Sequence, residues 1–168
     1  NVSMMPALIN TIMVVILALF FAIPIGIGSS IYLTEYSKKE GRIGNIVRIA
    51  TETLSGIPSI IYGLFGSLFF VKFLNLGISI ISGAITLSIM VLPLIMRTTE
   101  EALLSVSDSY REGSFALGAG KLRTIFKIIL PSALSGIFSG IALATGRIIG
   151  ESAALIFTAG TVAEVATS

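Results

Sequence analysis

The chain has no cysteine and no histidine, and only 12% of its 168 residues are charged. Without cysteine there is no disulfide framework and no thiol nucleophile. Without histidine the commonest general base and the histidine-rich metal sites are gone. A soluble domain carries roughly 25% charged residues. With 54% hydrophobic residues and a mean hydropathy of +0.99, this chain has too little polar surface to cover a water-facing exterior, so its solvent is lipid. No acid, base and nucleophile are grouped as a catalytic set. The expectation is a chain with no catalytic residue, no metal, no cofactor and no nucleic-acid partner.

What is present is a series of apolar segments. The first, 6–33, holds no charged residue, and about 20 residues suffice to span a bilayer. Pro24, Gly26 and Gly28 lie inside it and predict a kink, which lipid tolerates where neighbouring helices re-satisfy the backbone. The second segment, 53–71, carries Gly56, Pro58, Gly63 and Gly66, and the third, 76–96, carries Pro93. The fourth, 132–150, has Gly136 and Gly140, then Gly146 and Gly150. Both pairs have the small-xxx-small spacing that lets helices approach closely.

The sparse charges set an orientation. Lys38, Lys39, Arg42 and Arg48 separate the first two segments, five basic residues lie between Arg97 and Lys127, and the intervening turn offers only Lys72. Positive charge collects on the cytoplasmic side, so both basic loops are expected there. The first segment then enters from outside. The chain opens at Asn1 with no basic leader, and further helices are expected beyond both ends.

The longest polar passage is 109–131, SYREGSFALGAGKLRTIFKIILP. Ser109 and Glu112 have capping-box spacing and predict a helix start. Gly118 and Gly120 break that helix. A second basic helical run follows through Lys121, Arg123 and Lys127, and Pro131 opens the next segment. Composition alone makes this a juxtamembrane amphipathic hairpin. Its GAGK is not a phosphate-binding loop: Phe115 stands where the first glycine is needed, and Leu122 where Ser or Thr should follow the lysine. Asn1-Val2-Ser3 fits a glycosylation triplet, which is frequent by chance.

Spacing adds a resemblance. Glu112, Gly118, Ile128, Leu130 and Pro131 fall as in the cytoplasmic EAA loop of ABC-importer permeases, E-A-A-x-x-x-G, a spacer, then I-x-L-P. Gly113 and Ser114 replace the two alanines, and both are small enough for close packing. The resemblance implies that 109–131 is the coupling loop, whose helix sits in a groove of an ATP-hydrolysing partner subunit.

Two charge pairs stand against the apolar background. Arg147 and Glu151 are at i, i+4 and would share a helix face. Arg147 lies about 15 residues past Pro131, roughly 22 Å along a helix, and so inside the bilayer. A charge there costs about 2.5–3.5 kcal/mol on insertion scales and usually faces a cavity or a partner. A structural ion pair and an anion contact both satisfy that demand. Arg97 and Glu100 are at i, i+3 near the inner end of the third segment, where Arg97 could also snorkel.

LSGIPSIIYGLFG, RTTEEALLSV and GRIIGESAALIFTAG resemble the matching stretches of phosphate-specific permeases, the PstA type more than PstC. The resemblance implies an all-α polytopic bundle of the type I importer permease (MetI-like) fold, here without its terminal helices. It implies phosphate import across a bacterial or archaeal plasma membrane, with Arg97, Glu100, Arg147 and Glu151 in the translocation path. Guanidinium groups suit phosphate oxygens, which they bind bidentately. The implied partners are ATP-binding subunits, a second permease subunit, an extracytoplasmic phosphate-binding protein and membrane lipid. A permease for another solute and, in a different class, a secondary transporter are the competing readings. A membrane-embedded enzyme is disfavoured by the missing His and Cys.

Overall fold

The computed structural model describes residues 4–37, 41–75 and 80–151. The readings placed on Asn1-Val2-Ser3, Lys38, Lys39, 76–79 and the stretch after Glu151 lie outside these residues. Every regular element among the described residues is helical. Helix α1 is Met4–Ile31 and continues through a π turn, Tyr32–Tyr36. Then come α2 (Arg42–Ser55), α3 (Ser59–Gly66) with wider winding over Ser67–Phe73, and α4 (Ile80–Leu104). A short α5 (Asp108–Ala116) precedes α6 (Lys121–Thr124), which winds through Ile125–Ile129 into α7 (Leu130–Gly150).

Hydroxyl side chains do not interrupt these helices, because they bond back onto their own helix. Thr86 donates to the Ser82 carbonyl at 2.8 Å, Thr98 to Leu94 at 2.8 Å and Thr145 to Ile141 at 2.8 Å. In lipid, where water is absent, such local bonds satisfy the hydroxyl. Leu8–Tyr36, Ile80–Leu104 and Lys121–Gly150 are each long and apolar enough to cross a membrane.

The expected second segment, 53–71, is not one straight helix. Thr53 to Ser55 finish α2, and the chain bends by 102° before Ser59–Phe73 continues. Pro58 explains the break: it has no amide hydrogen and disfavours helical geometry at Ile57 before it. The Tyr62 hydroxyl donates to the Leu54 carbonyl across the bend and pins it. The third segment also differs. Its helix runs past Met96 to Leu104, so Arg97, Glu100 and Glu101 are helical.

Helix α4 is the centre. Of its apolar stretch 61% is buried, against 17% for α1 and 28% for Lys121–Gly150. It packs on α1, α2, α3 and α7. Ser30 ties α1 to it, lying 2.8 Å from the Gly26 carbonyl and 2.9 Å from the Met96 carbonyl. Contact with α7 depends on missing side chains. A Cβ on Gly140 would sit 2.1 Å from Thr98 Oγ1, and one on Gly136 2.6 Å from Ala102 Cβ. The first small-residue pair is therefore a helix-packing seam. At Gly146 and Gly150 nothing lies within 4 Å, so the second pair forms no such seam among the described residues.

Two apolar clusters result. One gathers Val14, Ala18, Tyr62, Leu87, Met90 and Ile148. The other, under the loop, gathers Leu103, Val106, Ile125, Ile129, Ala133 and Ile137.

Candidate translocation cavity and coupling loop

Helices α2, α4 and α7 enclose an open cavity of about 370 Å³. Its charged lining is Arg48 and Glu52 from α2, Arg97, Glu100 and Glu101 from α4, and Arg147 from α7. Three of the four residues expected in a translocation path thus meet in one space: Arg97, Glu100 and Arg147. Glu151 does not join them in the lining. It is the C-cap of α7, directly after Gly150 and four residues on from Arg147.

Pairing also differs from the expected i, i+3 arrangement. Arg97 Nε donates to Glu101 Oε1 at 3.3 Å, one turn on, with the side chains 80% and 67% exposed. Glu100 is half-buried in the same lining, with Arg48 as its charged neighbour. In the sequence Arg48 reads only as loop charge, and Glu52 is not singled out. Their signal was available: they are four residues apart on a stretch where Ile43, Ile46 and Ile49 recur at helical spacing.

Chemically, three guanidinium groups face three carboxylates. A guanidinium holds an oxyanion through parallel N–H donors. Carboxylates beside it compete with an arriving anion and keep the hold reversible. The cavity therefore suits transient occupation by a small anion.

The loop is a helical hairpin. Its first helix starts earlier than expected: Ser107 is the N-cap, and its hydroxyl accepts from the Ser109 amide at 3.4 Å. Glu112 is then beyond the third helical position, so the Ser109–Glu112 capping box does not form. Glu112 is exposed instead. The helix ends in a Schellman closure, with Ala119 N donating to Ser114 O at 3.1 Å and Gly118 N to Phe115 O at 3.0 Å. Gly118 has φ +85°, a conformation that a Cβ disfavours. Ser114 is buried and bonds Thr124 of α6 at 2.7 Å between hydroxyls. The replaced alanine position thus has a polar use. Ile128 and Leu130 are half-buried, and Pro131 is exposed. Leu117, at the turn, is 90% exposed.

Sequence reasoning also missed Arg111. Its Nη2 donates to Glu35 Oε1 at 2.7 Å and its Nε to Glu35 Oε2 at 3.2 Å. Nη2 also donates to the Leu103 carbonyl at 3.0 Å, and Nη1 to the Val106 carbonyl at 3.0 Å and Asp108 Oδ1 at 3.2 Å. The Glu35 hydrogen bond holds this guanidinium above its already high ordinary range, with burial acting against it. Nothing local in the sequence signals a partner 76 residues away.

Residues 22–167 match a family described as the binding-protein-dependent transport system inner membrane component. The probable ABC transporter permease protein YqgI of Bacillus subtilis (strain 168) is 39% identical over 153 residues, covering 91% of this chain and 52% of that protein. A phosphate transport system permease protein PstA homolog of Mycoplasma pneumoniae is 42% identical over 161 residues, covering 92% and 24%. The chain thus spans about half, or less, of the length of these relatives. A solved structure of the methionine ABC transporter MetNI in an inward-facing conformation is similar with a TM-score of 0.74 at 24% identity, covering 84% of this chain and 67% of that one.

Proposed function

Since the chain belongs to the family of binding-protein-dependent transport system inner membrane components, we propose that it is the core of a permease subunit importing inorganic phosphate. The observation that carries this reading is the meeting of Arg97, Glu100 and Arg147, with Arg48, in one cavity between α2, α4 and α7. The relatives named as phosphate permeases support the same cargo. In this reading the anion passes through the cavity lined by α2, α4 and α7, held in turn by arginines and released by their carboxylate neighbours. Glu151, at the end of α7 away from the cytoplasmic loop, acts on the entry side of that path.

The work comes from elsewhere. The loop 109–131 faces the cytoplasm, and α5 docks on an ATP-binding subunit, with Glu112, Gly118, Ile128, Leu130 and Pro131 shaping the contact. A second permease subunit completes the path, and an extracytoplasmic phosphate-binding protein delivers the anion. The chain itself is no enzyme.

A permease for another solute is the second reading. YqgI is described only as a permease, and the coupling loop does not depend on cargo. The test is uptake of labelled phosphate by vesicles holding the full-length protein, its second permease, ATPase and binding protein. Uptake should require ATP and the binding protein. Uptake without either would mean a secondary transporter. ATP-driven uptake of a solute that excess phosphate does not compete with would select the second reading.

A further inference from the structure

The attachment of α5 to the rest of the molecule is lopsided. On one side, the five N–H donors of Arg111 meet five acceptors: both Glu35 oxygens, the Leu103 and Val106 carbonyls, and Asp108. A guanidinium has five donors in a fixed fork, so this one is fully committed. Glu35 lies on the last turn of the α1 extension, and its side chain is 7% exposed. Leu103 and Val106 flank the end of α4, where helix carbonyls lack intrahelical partners. One side chain therefore joins α5 to the ends of both α1 and α4. On the other side, the polar link to α6 is the Ser114–Thr124 hydroxyl pair, across a turn that contains Gly118 and Gly120. Arg111 thus ties α5 to the end of α4, while the segment after α5, against which α5 also lies, leads into α7. Those two helices carry Arg97 and Arg147 on opposing walls of the cavity.

We propose that Arg111 is a positioning residue for coupling. It fastens α5 to the ends of α1 and α4, so a displacement of α5 is passed directly to the wall that carries Arg97. This rests on the reading of α5 as the element that docks on the ATPase.

The test uses the complete transporter in liposomes and reads uptake per ATP hydrolysed. Arg111→Lys keeps a cation beside Glu35 but offers three donors for five acceptors. The complex should still assemble and hydrolyse ATP, while uptake per ATP falls about tenfold, the scale on which residues of a coupled network act. The chain has no native cysteine. A Glu35→Cys, Arg111→Cys variant, in subunits freed of cysteine, removes both charges together. It should be uncoupled, and a short bifunctional thiol reagent should restore coupling. Wild-type uptake per ATP in Arg111→Lys and in the unlinked double variant would overturn the proposal. So would a loss of uptake and hydrolysis together with abundance at an unchanged ratio, which means a merely structural role. A wild-type complex that responds to its binding protein yet takes up no phosphate overturns the phosphate reading alone. Stimulation of hydrolysis then replaces uptake as the measure of coupling.

Discussion

Arg111 and Arg97 are the same residue in opposite surroundings. The Arg111 side chain is 15% exposed and its donors end on fixed acceptors. Arg97 is 80% exposed and makes one carboxylate contact at 3.3 Å. A guanidinium whose donors are all engaged holds structure together. One that is open toward a cavity keeps donors for something that arrives and leaves. The difference lies in the partners: buried Glu35 and the free carbonyls at the end of α4 meet Arg111, whereas around Arg97 the helix continues and its carbonyls are already bonded.

The comparison can be broken by exchanging consequences. Arg111→Ala leaves Glu35 buried and uncompensated, and should cost about 3–5 kcal/mol. Thermal unfolding of the purified protein would show it. A variant as stable as wild type would mean that the clamp holds nothing. Gly140→Leu comes next. Its first carbon already collides with Thr98, and overpacking should cost about 1–3 kcal/mol or more, read as lost abundance in the membrane. Normal abundance would show that α7 does not press on α4.

The cavity arginines should behave in the reverse manner. Arg97→Ala and Arg147→Ala should change stability by no more than about 0.5 kcal/mol, as exposed substitutions do. Phosphate uptake should fall about tenfold or more, equivalent to about 1.4 kcal/mol. Arg147→Lys should be impaired as well, because it keeps the charge but not the fork. Uptake at the wild-type rate in an abundant Arg97→Ala, Arg147→Ala variant would return both residues to a structural role. The smallest effect is expected at Gly113. Space is open around it and it lies within α5, so Gly113→Ala should stabilise by about 0.5–1 kcal/mol and leave uptake unchanged. A loss of uptake there would mean that the partner subunit approaches this backbone closely.

Misplacement of the α5 start shows why the loop was only partly legible. Ser107 and Ser109 are equivalent as caps in sequence, and Glu112 favoured the second. The real helix starts at Asp108, where the chain leaving α4 turns and Arg111 reaches back to Val106. Where α7 stops was likewise not legible, because helical arithmetic has no knowledge of where a helix ends: Glu151 is its C-cap. The bend before Ser59 was written in Pro58, yet its size of 102° was not, because a proline removes a bond without saying what replaces it.

By itself, the sequence determined that this protein is helical and lipid-embedded. Apolar runs and scarce charge leave no other way to satisfy a backbone without water. It also determined the glycine turn at Gly118. Tertiary structure alone decided which arginine is spent and which is available. That depends on what lies opposite each one, and the decisive partners, Glu35 for Arg111 and α2 and α7 for the cavity, are distant along the chain and brought near only by packing around α4.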